Sequence, residues 1–236
     1  MGDLDPANET TRVRAVYAAR AERLAEGGVY SPVNEAYLFA IQGRQRAVLR
    51  ALRREGLWPL GDKDILEVGC GNGGVLLEWL GYGADPQHLH GTDLLAERAG
   101  AAHARLPHLP ITAASGTALP YPDHSFDLVL QFTVFSSILD RAICYTVANE
   151  IIRVLRPGGV ILWYDFWINP LNKQTRGIRP REVRDYFPGC TITFDRITLA
   201  PPLARKLVPF SWAGALVLER LRFLNTHYLA TVRIPE

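Results

Sequence analysis

The stretch Asp64-Ile65-Leu66-Glu67-Val68-Gly69-Cys70-Gly71-Asn72-Gly73-Gly74 reads as a short apolar strand, a glycine-rich turn and the start of a helix. Glycine lets the backbone turn sharply and approach a ligand closely. The N-terminus of a helix presents backbone N–H groups. We therefore expect a nucleoside-containing cofactor at this turn, with backbone N–H groups available to it.

The glycine spacing leaves two cofactor classes open. Gly69-x-Gly71-x-Gly73 is tighter than the dinucleotide fingerprint, but Gly74 makes the string match that fingerprint as well. Glu67 stands two residues before the turn, where a carboxylate would repel a pyrophosphate. A cofactor with a cationic sulfonium and an ammonium group would suit it better.

Asp93 is the second acidic residue of this pattern, 22 positions after Gly71, and it closes the second predicted strand. An acidic side chain at that place can accept hydrogen bonds from both ribose hydroxyls. The alternative interpretation is an N-cap for the helix that starts near Leu95, and the two roles are compatible.

Strand and helix patterns alternate after the turn. The predicted strands are 65–69, 88–92, 111–114, 126–132 and 160–164, and the helices between them are 73–80, 95–105 and 140–155. Nearly continuous apolar strands separated by helices are typical of a parallel sheet covered on both faces. We predict a doubly wound, Rossmann-like α/β fold with a mostly parallel seven-stranded sheet.

The flanking segments complete one domain, 1–236. Helices over 11–26 and 35–55 form an N-terminal helical cap within 1–60, ahead of a cofactor-binding core, 61–170. A helix at 179–187, strands at 191–199 and 226–234, and the partly helical segment 203–224 predict an antiparallel edge strand and an acceptor side, 171–236.

Composition excludes several classes of protein. Lys and Arg number 26 against 24 Asp and Glu, so we expect no nucleic-acid partner. Three distant cysteines predict no disulfide framework, and no His or Cys spacing predicts a metal site. The longest apolar run, 207–218, is shorter than the roughly 20 residues that span a bilayer. We expect a cytoplasmic monomer or homodimer without stable membrane insertion.

Four motifs in order give a family resemblance. They are Leu66-Glu67-Val68-Gly69-Cys70-Gly71-Asn72-Gly73, Gly91-Thr92-Asp93, residues 118–129 (Ala-Leu-Pro-Tyr-Pro-Asp-His-Ser-Phe-Asp-Leu-Val) and residues 150–159 (Glu-Ile-Ile-Arg-Val-Leu-Arg-Pro-Gly-Gly). Over about 62–166 the chain resembles the class I S-adenosylmethionine-dependent methyltransferases. It is most similar to the small-molecule branch, which includes the ubiquinone- and menaquinone-pathway enzymes and methyltransferase type 11.

The resemblance implies S-adenosylmethionine as cofactor, S-adenosylhomocysteine as product and a small-molecule acceptor. It also implies which residues contact the cofactor. Glu67 is one of them, and Gly69, Cys70 and Gly71 would contact the methionine and ribose. Asp93 would hold the ribose hydroxyls, Leu94 would lie against the adenine, and Ser115, Gly116 and Thr117 would lie at the edge of the adenine. Gln131 and Phe132 would lie beside the transferred methyl group. Ser115 stands where family members often carry an acid, so a hydroxyl replaces a carboxylate at the adenine amine.

Methyl transfer needs alignment and exclusion of water, and a general base only for a protonated acceptor. Related enzymes often carry a His after strand four, but residues 133–139 contain none. Asp165, at the end of strand five, is the favoured base and Tyr164 the next, which favours O-methylation of a lipid-like or glycan-linked molecule. A turn-capping role for Asp165 is the alternative.

Three further segments have two interpretations each. Residues 30–37 follow a Gly-Gly pair and resemble a lid, in which Tyr30 and Tyr37 could contact the acceptor or the cofactor. Gln42 or Arg46 could reach the methionine carboxylate. The alternative for Arg46 is a position on a solvated helix face. The basic loop 173–184 either binds an anionic acceptor or is solvated. Segment 203–224 is a helix packed on the sheet or an element for peripheral membrane contact.

Rival functions come from other classes. They are a catalytically silent cofactor-binding protein of the same fold, a nicotinamide-dependent oxidoreductase, and an RNA or protein methyltransferase that uses the basic loop.

Overall fold

The computed structural model describes residues 9, 11–17, 31, 33–168 and 174–236. Its sheet has seven strands in the order β3-β2-β1-β4-β5-β7-β6. They are β1 (Ile65–Val68), β2 (Leu89–Asp93), β3 (Ile111–Ala113), β4 (Phe126–Phe132), β5 (Leu155–Phe166), β6 (Thr191–Leu199) and β7 (Asn225–Arg233). Strands β1 to β5 pair in parallel, whereas β7 is antiparallel to both β5 and β6. The prediction of a doubly wound, mostly parallel sheet with antiparallel pairing at one end is confirmed.

Helices cover both faces of this sheet. They are α1 (Glu35–Arg54), α2 (Gly74–Gly81), α3 (Ala96–Arg105), α4 (Arg141–Val154), α5 (Pro180–Tyr186), α6 (Pro201–Leu207) and α7 (Trp212–Glu219). Residues 11–17 are also helical, and we call them the N-terminal helix. Capping side chains start three of the described helices: Asn34 accepts a hydrogen bond from the Tyr37 amide (3.2 Å), Asp140 from the Ala142 amide (2.7 Å) and Ser211 from the Gly214 amide (3.0 Å).

Two predicted boundaries differ from the structure. Strand β5 was predicted to start at residue 160, after the Pro-Gly-Gly stretch. It starts at Leu155, before that stretch, because Leu155 pairs with Phe126 of β4. Segment 203–224 is two short helices with a turn that contains Pro209. Proline has no backbone N–H to continue a helix, which explains the break.

Two apolar clusters lie on opposite faces of the sheet. The first joins α1, α2 and α3 to one face, and the second joins α4 and α5 to the other. A third cluster packs Phe39 of α1 against α6 and α7, with the Phe39 and Trp212 rings 5.5 Å apart. Helix α1 therefore connects the main core to the C-terminal helices.

Candidate active site

The glycine turn after β1 is held by its own backbone. Gly69 and Gly71 adopt positive φ angles of 75° and 55°, which glycine accepts without strain. The amides of Gly69 and Cys70 donate to the Thr92 carbonyl (2.7 and 2.8 Å), and the Gly71 amide donates to Asp93 Oδ2 (2.8 Å). The expectation that these N–H groups stay available for a ligand is therefore wrong. A pyrophosphate, which binds through such donors, finds none at these three residues.

Close packing explains why the turn needs glycine. A side chain at Gly69 would collide with Val134, and one at Gly71 would collide with Arg98. The Arg98 guanidinium lies 3.9 Å from Asp93 and 4.4 Å from the centre of the Tyr17 ring. Arg98 had no role in the sequence prediction, because nothing local marks it among the other cations of α3.

Glu67 and Asp93 are two buried acids on the face of the sheet that α1 and α2 cover. Asp93 Oδ1 also accepts a hydrogen bond from the Leu95 amide (3.0 Å), so Asp93 fixes the chain both before and after β2. Glu67 Oε2 has no hydrogen-bond partner among the described residues. Burial raises the pKa of Glu67 to about 8, against the weaker opposing effect of Arg44. A buried acid without a partner fits a ligand that carries positive charge.

The residues predicted to contact adenine follow β2 and β3. Strand β3 continues into Ala114, whose amide donates to the Asp93 carbonyl (3.0 Å). Ser115 and Thr117 then share a hydrogen bond between their hydroxyls (2.8 Å). Leu94 is half-buried beside them. Ser115 therefore follows a residue that is bonded to Asp93, and contact of Ser115, Gly116 and Thr117 with adenine stays a prediction.

Gln131 and Phe132 end β4 but point to opposite faces, as neighbours in a strand do. Gln131 is fully buried, and its Oε1 accepts from the Val134 amide (2.6 Å), so it holds the loop after β4. The Phe132 ring faces α1, with the Arg44 guanidinium 5.4 Å from its centre and the Tyr164 ring 5.7 Å away.

Tyr164 and Asp165 also lie on opposite faces, so the two predicted bases do not converge. Asp165 Oδ2 accepts from the Ser136 amide (3.0 Å) and Oδ1 from the Phe166 amide (2.9 Å), while burial raises the pKa of Asp165 to about 7. The Tyr164 hydroxyl bonds Thr198 Oγ1 (3.0 Å), and burial raises the pKa of Tyr164 to about 12. Asp165 thus lies within β5 and holds the turn after β4 through the Ser136 amide, whereas the alternative interpretation placed its turn before Asn169-Pro170, which are outside the described residues.

His227 lies beside Tyr164 and Phe166 and had no role in the sequence prediction. Its ring stacks on Tyr164, with centroids 4.9 Å apart and planes at 7°, and it meets the edge of Phe166 at 5.7 Å. Burial lowers the pKa of His227 to about 3, so the imidazole is neutral at pH 7. No local signal marks it, because antiparallel pairing of β7 with β5 brings it opposite Phe166.

Two residues with strained backbone lie beside Phe132 and Tyr164. Thr133 and Thr198 have positive φ angles of 61° and 67°, which β-branched residues rarely adopt. Thr133 directly follows Phe132, and Thr198 bonds Tyr164. Such outliers concentrate at functional sites.

The N-terminal helix crosses the mouth of the site. Glu9, just before it, accepts from the Leu139 amide (2.9 Å), and Arg12 donates to the Ser137 carbonyl. The Tyr17 hydroxyl contacts Ser137 Oγ at 3.2 Å while its ring lies under Arg98. These contacts span from the loop after β4 to α3. The lid was predicted at residues 30–37, after the N-terminal helix. Of its two tyrosines, Tyr30 is outside the described residues and Tyr37 is in the first turn of α1.

Two cations of α1 differ in their surroundings. Arg46 pairs with Glu219 of α7 (3.1 Å) and its side chain is 43% exposed, which agrees with the alternative of a solvated helix face, while its contact with a methionine carboxylate stays a prediction. Arg44 is the more buried of the two: it bonds Glu78 (2.5 Å) and lies over Phe132 and Tyr164.

In the basic loop, Lys173 is outside the described residues. Arg176 is neither solvated nor open to an acceptor, because it bonds Glu182, the Tyr186 hydroxyl (2.8 Å) and the Ile138 carbonyl (3.0 Å). That network joins the loop after β4 to α5.

One row of side chains therefore runs along the carboxyl edge of the sheet, on the face of α1. It consists of Asp93 of β2, Glu67 of β1, Phe132 of β4, Tyr164 of β5 and His227 of β7, with Arg44 above its middle. The glycine turn adjoins its acidic end. The row crosses the point where strand order reverses between β1 and β4, which is where α/β sheets bind ligands.

Comparison with known proteins supports this placement. The family model described as a methyltransferase domain matches residues 66–163. A probable S-adenosylmethionine-dependent methyltransferase of Mycolicibacterium smegmatis is 36% identical over 105 residues, which is 42% of this chain and 37% of that protein. Phthiotriol/phenolphthiotriol dimycocerosates methyltransferase 1 of Mycobacterium ulcerans is 34% identical over 122 residues, 48% of this chain and 41% of that protein. The chain spans less than half the length of these curated relatives.

A solved structure shares the whole fold. The 1,6-didemethyltoxoflavin-N1-methyltransferase of Burkholderia thailandensis, with 1,6-didemethyltoxoflavin and S-adenosylhomocysteine bound, aligns with a TM-score of 0.65 at 16% identity, over 100% of this chain and 93% of that one. The unpartnered Oε2 of the buried Glu67 and the glycine turn fit a cationic nucleoside cofactor. Residues 66–163 therefore form a methyltransferase domain that is similar to those of S-adenosylmethionine-dependent methyltransferases.

Proposed function

We propose that this protein transfers a methyl group from S-adenosylmethionine to a hydroxyl group of a small-molecule acceptor. The observation that carries the proposal is the row from Asp93 and Glu67 to Phe132, Tyr164 and His227. It joins an acidic half beside the glycine turn to an aromatic half beneath α1.

The acidic half would hold the cofactor. Asp93 keeps acceptor capacity for ribose hydroxyls beyond its two backbone hydrogen bonds, since a carboxylate has about four acceptor positions. Leu94, Ser115, Gly116 and Thr117 would surround the adenine, and the glycine turn with Cys70 would lie against the methionine and ribose. S-adenosylmethionine, when bound, supplies a methyl group on a positively charged sulfur. Glu67 and the face of Phe132 both favour that charge.

The aromatic half would hold the acceptor. Phe132, Tyr164 and Phe166 provide a dry wall, and exclusion of water favours transfer to the acceptor over side reactions. The imidazole of His227 is neutral at pH 7 because burial lowers its pKa to about 3, so one ring nitrogen can accept a hydrogen bond from an acceptor hydroxyl and orient it. A base of that pKa is too weak to take the proton of the hydroxyl at pH 7, so His227 would act by positioning the acceptor. Asp165 then acts as a positioning residue, since both of its oxygens hold backbone amides.

A small-molecule acceptor is supported by the names of the two similar methyltransferases. One is named for phthiotriol and phenolphthiotriol dimycocerosates and the other for 1,6-didemethyltoxoflavin, which are compounds rather than proteins or nucleic acids. The nearly balanced charge of the chain agrees with this class.

Ligand-induced thermal shifts test the cofactor. We expect S-adenosylhomocysteine to raise the melting temperature and NADH to leave it unchanged, because ligands stabilise the state that binds them. Stabilisation by NADH alone would identify an oxidoreductase. Binding of S-adenosylhomocysteine without transfer of labelled methyl to any of a panel of phenols, alcohols and lipid extracts would identify a silent binding protein.

The His227→Ala variant tests O-methylation. We expect transfer to a hydroxyl acceptor to fall by about 100-fold, because a misplaced acceptor reacts more slowly, while affinity for S-adenosylhomocysteine stays within about twofold. His108→Ala, at an exposed position of the loop after α3, is the matched control. Unchanged turnover in His227→Ala would remove His227 from the reaction.

A further inference from the structure

A cavity of about 530 Å³ lies at the opposite end of the molecule from the adenine side, between α1, β6 and α7. Its lining is rich in arginine; the residues are Gly43, Arg46, Arg50, Asp195, Arg196, Ile197, Leu216, Glu219, Arg220, Arg222 and Asn225. The methyltransferase row does not use it.

The charge of this cavity is unbalanced. Its two acids are already paired, Glu219 with Arg46 (3.1 Å) and Asp195 with Arg54 (3.0 Å). Within the described ranges, Arg50, Arg220 and Arg222 form no ion pair or side-chain hydrogen bond. Arginine forks match the oxygens of phosphate groups, so the cavity is suited to anions.

An apolar surface adjoins the cavity, and we call residues 203–223 the docking segment. Phe210, Phe223 and Val217 are 88%, 69% and 62% exposed. Leu203, Leu216 and Leu221 are also exposed large apolar residues. Single exposed apolar side chains are common, but a group on one short segment marks an interaction site.

Helical spacing places the two features side by side. The inner face of α7 packs Trp212 and Ala215 toward Phe39 of α1, so the rest of the helix faces outward. Leu216 and Arg220 are four residues apart and both line the cavity, while Val217 and Leu221 form the neighbouring exposed stripe. Arg205 and Lys206 add two exposed cations at the end of α6. An apolar stripe flanked by cations is typical of elements that lie in a membrane interface.

We propose that the docking segment binds the surface of an anionic phospholipid membrane, with headgroup phosphates in the arginine-lined cavity. Phe210 and Phe223 enter the interface, and Arg220 and Arg222 meet the phosphates. Within the described part of the chain, no helix is both long and apolar enough to cross a bilayer, so the contact is peripheral. A second copy of the chain is a poorer occupant, because a two-fold contact would bring the unpaired arginines of both copies into one interface in which the acids of the cavity are already paired.

Helix α1 relates this surface to the site. Arg46 and Arg50 line the cavity, whereas Arg44 lies over Phe132 and Tyr164. Docking would bring the aromatic half of the row close to the lipid surface. The docking proposal does not depend on methyl transfer, and S-adenosylhomocysteine binding can be measured separately.

Co-sedimentation with vesicles tests the proposal. One set of vesicles is phosphatidylcholine alone and the other is three parts phosphatidylcholine to one part phosphatidylglycerol, both at about 100 mM salt. We expect binding to the anionic vesicles, weaker binding to the neutral ones, and loss of binding at about 1 M salt, where charges are screened.

Two double variants separate charge from apolar contact. We expect Arg220→Glu with Arg222→Glu, and Phe210→Ser with Phe223→Ser, each to weaken partitioning by about tenfold or more. All four side chains are exposed, so melting temperature and S-adenosylhomocysteine affinity are expected to stay at wild-type values. Arg105→Glu on α3 and Leu77→Ser on α2 are matched controls with exposed side chains elsewhere.

Three outcomes would overturn the proposal. The first is no binding of the wild-type protein to anionic vesicles. The second is equal losses in the control variants. The third is a wild-type dimer in sedimentation equilibrium that Phe210→Ser with Phe223→Ser converts to monomer without any vesicle binding, which would assign the surface to a second copy of the chain.

Discussion

Glu67 is the residue whose environment most directly reports the ligand. It is 2% exposed, and its Oε2 lacks a hydrogen-bond partner among the described residues. Burial without such a partner raises its pKa to about 8 from an ordinary value of 4.5. In the ligand-free protein the carboxyl group therefore keeps a proton that the unfolded chain loses, so this group makes stability fall as pH rises between those two values.

A cationic ligand favours the ionised form of Glu67 over the protonated form. We predict that S-adenosylmethionine binding at pH 7 releases a proton from Glu67, because a sulfonium or ammonium group favours the carboxylate. Calorimetry in buffers of different ionisation enthalpy measures the released proton. Glu67→Gln abolishes the release, whereas Glu97→Gln, an exposed control on α3, keeps it. Equal proton release by Glu67→Gln and the wild type would contradict the prediction.

Asp165 gives a second prediction at this scale. In Asp165→Asn, one side-chain oxygen becomes an NH₂ group, so the amide of either Ser136 or Phe166 loses its acceptor. We expect a loss of about 1–3 kcal/mol in the free energy of unfolding. Burial raises the pKa of Asp165 from 3.8 to about 7, so its contribution to stability also falls as pH rises across that window.

Urea denaturation and single-turnover methyl transfer together test the role of Asp165. A positioning role requires the stability loss, with at most a modest loss of turnover. Turnover reduced by about 100-fold at unchanged stability would restore Asp165 as the general base.

The N-terminal helix connects two elements that lie beside the glycine turn and the end of β4. Glu9 and Arg12 attach it to the loop after β4, and Tyr17 attaches it to Arg98 of α3. Within residues 11–17, Val13 is the buried apolar side chain, so the polar contacts contribute much of what holds this described part of the helix in place. Segments of this kind have low local stability and can open without global unfolding.

Arg12→Ala tests this element. We expect S-adenosylhomocysteine to dissociate about tenfold faster, because hydrogen bonds to charged groups contribute roughly 1.5–3 kcal/mol each, while the melting temperature changes little. Stopped-flow fluorescence measures the dissociation rate. Arg14→Ala, on an exposed face of the same helix, is the control. The same rate in Arg12→Ala and the wild type would show that the helix does not retain the ligand.

The whole molecule depends on one sheet that separates two apolar clusters. Strand β5 contributes to both, with Leu162 on the face of α1 and Trp163 on the face of α4. Loss of packing on one face must therefore weaken the other through the shared strand.

Leu162→Ala measures this coupling. The side chain is fully buried, and we expect a loss of about 2–5 kcal/mol in the free energy of unfolding. Unfolding followed by tryptophan fluorescence and by circular dichroism is expected to remain one coincident transition. Leu77→Ala, 44% exposed on α2, is expected to cost less than about 1 kcal/mol. Separate transitions would show that the two faces unfold independently.

Most of the fold is visible in the sequence because its signals are local. The apolar run of 126–132 and the glycines after Val68 mark β4 and the cofactor turn without reference to any distant residue. The same is true of Glu67 and Asp93, which stand at fixed positions relative to strand ends. Charge and spacing alone therefore indicated a cationic nucleoside cofactor.

The acceptor half is not visible in this way. His227, Arg44 and Arg98 stand in segments with no distinguishing local pattern, and the segment after β4 lacks the expected His. The role predicted for Asp165 was drawn from its place at a strand end. Which face its side chain takes, and which amides it holds, depend on the loop that packs beside it.

The sequence by itself determined the doubly wound sheet, the glycine turn and the two acids beside it, because strand periodicity and turn chemistry act between neighbouring residues. Only the tertiary structure decided that the turn's amides are already bonded, that the N-terminal helix crosses the site, and that His227 lies against Tyr164. Those features arise from pairing between residues far apart in the chain, such as the antiparallel register of β7 with β5. Such pairing is set by the packing of the whole domain, which leaves no local mark.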